Sequence, residues 1–96
     1  MHVPTPRDNL LVREVEGETV VLNRADGHIH TLNHTASLIW HALDGKRSIE
    51  DIVRLLVEGF AVDHATAQTD VTEAINNLKN LNLLQIQKGS NNNEEP

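Results

Sequence analysis

The chain has 96 residues, 39% of them hydrophobic, with Trp40 and Phe60 as its aromatic side chains, no cysteine and a formal net charge of −6. That length supports one modest core and not two folded units, and the absence of cysteine excludes disulfides, thiolate metal sites and cysteine nucleophiles. No apolar run reaches the length of a signal-peptide core or a bilayer span, and the negative field repels phosphate backbones and anionic lipid, so a cytoplasmic location is expected.

Residues 1–9, with Pro4 and Pro6 among polar neighbours, read as an extended lead-in. Two β-branched stretches follow, Leu10 to Val15 and Thr19 to Asn23, separated by Glu16-Gly17-Glu18 with glycine where a hairpin needs positive φ. Arg24-Ala25-Asp26-Gly27 supplies a second turn, and His28-Ile29-His30-Thr31-Leu32 alternates polar and apolar side chains as a half-exposed strand does. Three antiparallel strands are expected.

From Asn33 the period changes to that of a helix, with Ala36, Ile39, Trp40 and Leu43 on one side and Asn33 or Thr35 as its N-cap. Asp44-Gly45 ends it, with Gly45 in the left-handed position after the cap. Ser48 followed by Asp51 has the form of a capping box for a second helix, whose buried stripe is expected to be Ile49, Ile52, Val53, Leu56 and Phe60. Gly59 to Val62 reads as a tight connection to a third helix capped by Asp63, with Ala67, Val71, Ala74, Ile75, Leu78 and Leu81 along one face. The second and third helices make a helix-turn-helix pattern. Leu83 to Gln87 has the character of a short returning strand at the wing position, and Lys88 to Pro96 is too polar to offset the entropy of ordering it, so a disordered tail is expected.

Leu32-Asn33-His34-Thr35-Ala36 with Ile39-Trp40, then Leu43-Asp44-Gly45, Ser48-Ile49, Phe60-Ala61-Val62-Asp63, Asp70-Val71 and Leu83-Leu84 together resemble the signature of the PqqD family over roughly residues 10 to 86. The resemblance implies an α+β winged helix-turn-helix domain: a three-stranded antiparallel sheet followed by three helices and a short terminal strand. It implies a non-catalytic carrier without cofactor. Such a carrier binds the leader segment of a ribosomally made precursor peptide and presents it to a modifying enzyme, for instance a radical SAM enzyme or a leader peptidase. The leader adds as a further antiparallel strand beside the third strand, against the third helix. Mapped here, the binding positions are Gly27, His28, Ile29, His30, Thr31 and Leu32 on the strand and Asp70, Val71, Ala74, Asn77, Leu78 and Leu81 on the helix. Plain core packing is the competing reading for the four apolar helix positions, and ordinary solvation for Asp70 and Asn77. Lacking a second domain, the chain is expected to be free-standing and to act by association.

The physics of that mode stands apart from the resemblance, since an edge strand offers unpaired N–H and C=O groups to any extended peptide. The alternative class is a winged-helix DNA-binding regulator, but the third helix carries Asp70 and Glu73 and a single basic residue, Lys79, a poor match to phosphate. A scaffold contacting only the enzyme is a third reading. His28 and His30 share one face of a strand at a chelating spacing with His34 close by, yet without cysteine no metal site is expected. No nucleophile with a base and an orienter is discernible, and the five glycines are isolated at turns or helix ends, which excludes a phosphate-binding loop.

Overall fold

The computed structural model describes residues 3–85. β1 (Leu10–Val15), β2 (Glu18–Asn23) and β3 (Ile29–Leu32) pair antiparallel in the order β1-β2-β3. Val12 stands opposite Val21, and Val21 opposite His30. Because side chains alternate, Thr19, Val21, Asn23 and Leu32 face the helices and are buried. Leu11, Leu22 and Ile29 form a row across the other face, where Ile29 is 66% exposed.

Glu16 and Gly17 alone turn β1 into β2, with φ of 53° and 84°, the two positive values of a type I′ turn. Glycine is needed at the second position, since a Cβ there would lie 2.7 Å from the His34 ring. In the next loop the Asn23 carboxamide oxygen accepts the Ala25 N–H and the Asp26 carboxylate accepts the His28 N–H, each at 2.9 Å. His28 therefore belongs to the turn, and β3 starts one residue later than its alternation suggests.

Asn33, not Thr35, caps α1 (His34–Ala42), accepting the Ala36 N–H at 2.8 Å. The helix ends at Leu43, so Gly45, with φ of 82°, lies one residue beyond the expected left-handed position. Asp44 follows the cap instead, without a positive φ, and accepts the Lys46 N–H, which with the Arg47 N–H and guanidinium holds its carboxyl below the usual value. Ser48 and Asp51 form the expected capping box of α2 (Ile49–Phe60). The helix continues through Gly59 and Phe60, and the left-handed exit is made by Ala61 at φ 55°, not by a glycine. Phe60, expected in the buried stripe, is 39% exposed because it ends the helix, whereas Trp40 is buried. Asp63 caps α3 (His64–Asn80) through the Thr66 N–H at 2.8 Å.

α1 packs on β2 and β3 on one side and on α2 and α3 on the other, which places Ile39, Trp40 and Leu43 at the centre of the core. After α3 the chain turns back through Asn82, whose φ is 63°, and buries Leu83 and Leu84. The expected terminal strand is reduced, among the described residues, to a single antiparallel bridge between Leu84 and Pro6. Pro6 has no N–H to continue a ladder. The Arg7 N–H reaches the Leu83 carbonyl at 3.1 Å and the Gln85 N–H the Thr5 carbonyl at 2.7 Å, so the lead-in is tied to the chain's return. The rest of the expected strand and the tail from Lys88 to Pro96 lie outside the described residues. Among the described residues no helix is long and apolar enough to cross a membrane.

Candidate functional site

Among the described residues β3 has a neighbour on one side only. The Asn23 N–H donates to the His28 carbonyl at 2.9 Å, and this bond sets the alternation along the pair: the backbone groups of His28, His30 and Leu32 are directed at β2. Those of Ile29 and Thr31 point the other way, to an open edge. The far end keeps the same phase, because the Ser37 hydroxyl is inserted there, accepting the Thr19 N–H at 3.0 Å and donating to the Leu32 carbonyl at 3.1 Å. No Cα of β3 comes within 8 Å of a Cα of α3. The strand edge thus faces a gap.

That gap is a groove of about 430 Å³, lined by Thr31, Leu32, Asn33, Thr35 and Ala36 on one side and by Asp70, Glu73, Ala74, Asn77, Leu78 and Leu81 on the other. The α3 residues recur at spacings of three and four, one continuous stripe of a helix. A second stripe beside it, Ala67, Val71, Ile75 and Leu78, enters the core. Leu78 belongs to both.

Of the positions expected from sequence, Thr31, Leu32, Asp70, Ala74, Asn77, Leu78 and Leu81 line the groove together. Val71 does not: it is completely buried among core side chains, one step round the helix from the groove stripe. Gly27, with φ of 76°, and His28 lie in the turn before β3, and Ile29 offers its backbone to the edge while its side chain stands on the solvent face. His28 and His30 share a face, their rings edge to face at 6.3 Å, and the His30 Nε2 is buried without a hydrogen-bond partner. Asn33, Thr35, Ala36 and Glu73 were not among the expected positions. Glu73 follows from the helix period, three residues after Asp70 and four before Asn77, but the α1 residues depend on how that helix leans on the sheet.

The groove carries two carboxylates and no basic side chain. Asp70 is half-buried and, with Glu73, takes part in none of the ion pairs formed among the described residues, whereas Asp44 pairs with Arg47 and Glu50 with His64. No group of three or more His, Cys, Asp or Glu side chains among the described residues is placed to hold a metal ion. Among the described residues the nearest approach to a catalytic set is Thr19, His41 and Glu14. There Thr19 and Glu14 both meet the same ring nitrogen, Nε2 of His41, and Thr19 is fully buried. A base whose only contacted nitrogen is already held by a carboxylate is not poised to take the hydroxyl proton. On α3 the exposed face offers Lys79 and a His64 already paired with Glu50, so nothing favours a nucleic-acid surface there.

The model of the family coenzyme PQQ synthesis protein D (PqqD) matches residues 18–84. The fold recurs in the solved structure of TbiB1 in complex with the TbiA(beta) leader peptide, at 25% identity and a TM-score of 0.77, covering 92% of this chain and 99% of that one. It recurs again in lasso peptide synthetase B1 complexed with the leader peptide, at 24% identity and a TM-score of 0.79, covering 86% and 98% of the two chains. Among curated proteins there is no match.

Proposed function

The chain belongs to the PqqD family, and from that premise we propose that it is a non-catalytic carrier that binds the leader segment of a ribosomally made precursor peptide and presents it to a modifying enzyme. The observation that carries this reading is the outward pair of backbone groups at Ile29 and Thr31, opening onto a groove with an apolar floor of Leu32, Ala74, Leu78 and Leu81. An extended peptide completes those hydrogen bonds as a fourth strand, and main-chain pairing of this kind gives affinity while the groove sorts alternate side chains. Leader peptides bound to the similar TbiB1 and lasso synthetase B1 folds support the ligand class.

In this reading residues 10–87 form the binding unit. Ile29, His30, Thr31 and Leu32, with Gly27 and His28 leading in, are the pairing strand, and Asp70, Ala74, Asn77, Leu78 and Leu81 are the facing wall. The recipient is an enzyme of the kind that rebuilds or trims the peptide, a radical SAM enzyme or a leader peptidase, and the exchange takes place in the cytoplasm. Amide hydrogen exchange tests the mode directly. Adding the leader of the precursor encoded nearest the gene should slow exchange at Ile29 and Thr31 and leave His30, already bonded to β2, unchanged. Binding without that alternation rules out strand addition.

A further inference from the structure

We propose that the leader docks with a lysine or arginine side chain between Asp70 and Glu73, two residues ahead of an apolar side chain that enters the middle of the groove. This rests on the strand-addition reading. With Ile29 and Thr31 making the hydrogen bonds, the leader residues opposite His30 and Leu32 occupy the non-bonded positions, and their side chains point to the helix side. Alternate leader residues therefore face α3, about 7 Å apart. From Asp70 to Leu81 the helix rises about 16 Å, enough for three such side chains in succession.

The order of those three follows from how the ends of the groove are built. The Asn23 carboxamide, beside His28, donates to the Asn82 carbonyl at 3.4 Å, so the Leu81 end of α3 lies at the start of β3. Asp70 and Glu73 lie at the other end, with Thr35 of α1. An antiparallel leader thus meets the two carboxylates first, then Ala74 and Leu78, then Leu81. Asp70 holds a half-buried charge without a partner among the described residues, and no cation lines the groove. The first turn of α1 opens on the same end, but its dipole amounts to about half a positive charge against two full negative ones. The local field favours a cation, which gains a partner as it leaves water.

The test uses a phage-displayed library of random twelve-residue peptides selected on the protein, with strand addition read separately as slowed exchange at the Ile29 and Thr31 amides. The expected binders carry Lys or Arg two residues before an apolar residue. They should bind Asp70→Asn/Glu73→Gln about three- to tenfold more weakly, while analogues with methionine in place of the basic residue bind both proteins alike. Binders that protect Ile29 and Thr31 but lack a basic residue, or do not distinguish the two proteins, overturn this inference and leave strand addition standing. Failure to select any peptide that protects those amides removes both.

Discussion

The N–H of Thr19 in β2 ends on the hydroxyl of Ser37 in α1, at 3.0 Å and out of reach of water. Since that hydroxyl also donates to the Leu32 carbonyl, one side chain fastens the central helix to two strands at the mouth of the groove. Ser37→Ala removes both bonds in a buried setting and should destabilise the domain by about 2 kcal/mol in urea denaturation. A loss below about 0.5 kcal/mol would mean that Thr19 and Leu32 close the gap by pairing directly.

The phase of the β3 edge makes proline a discriminating probe. At Ile29 or Thr31 it removes an outward donor and no sheet bond, so the fold should survive with a cost of about 1 kcal/mol while leader affinity drops at least about tenfold. At His30 it removes a bond to β2 and should cost about 3 kcal/mol or more. Circular dichroism melts paired with peptide titrations separate the two classes, and equal effects at all three positions refute the assigned phase.

Leu81 is 37% exposed at the end of the groove, so its apolar surface is spent on no core contact that matters greatly. Leu81→Glu is expected to shift stability by no more than about 0.5 kcal/mol. It should nonetheless reduce leader affinity by roughly tenfold, the effect of placing a charge where an apolar side chain is received. Calorimetric titration with the leader peptide checks both halves.

Two aspartates at helix starts, Asp51 and Asp63, and a third, Asp44, just past the end of α1 make the domain acid-sensitive. The Ser48 N–H and then its hydroxyl lower Asp51; the bonds from Thr66, side chain before backbone, lower Asp63; the Lys46 N–H leads in lowering Asp44. Depressed folded-state values contribute stability that is fully present above the ordinary 3.8 and is lost as pH falls through the lowered ones. Melting temperature should therefore hold steady above that value and fall below it, and Asp51→Asn with Asp63→Asn, which keep capping ability without the charge, should flatten the fall. An unchanged acid limb in the double variant would assign the sensitivity elsewhere.

Glu16 occupies a left-handed position with φ of 53°, which costs an ordinary side chain about 1 kcal/mol or more. Glu16→Asn creates the Asn-Gly pair most suited to a type I′ turn and should raise stability by about 1 kcal/mol. Ala61→Gly offers a comparable gain at the end of α2, and thermal melts of the two variants, separately and combined, measure both.

The hairpins, the three helices and most of their caps were legible because each is a local matter: glycine at Gly17, Ser48 with Asp51, apolar spacing of two or of three and four. Ala61 escaped notice because nothing in alanine's chemistry advertises a left-handed exit. Val71 and Ala74 are both small apolar residues on one side of α3, and only the angle at which α1 and α2 pack decides that Val71 is sealed and Ala74 is half open to the groove. The same angle brings Asn33, Thr35 and Ala36 to the opposite wall. Phe60, an aromatic ring expected in the buried stripe, lies at a helix end where periodicity stops carrying information about burial.

The 2.7 Å bond between the Gln85 N–H and the Thr5 carbonyl sets the backbone at residues 5 and 85 side by side. A host protein receiving residues 5–85 in a surface loop would have its own path parted by only about one strand spacing, roughly 5 Å. The same proximity allows the two ends to be spliced by a short linker and the ring reopened at the β1–β2 turn, giving a permuted chain with the β3 edge untouched.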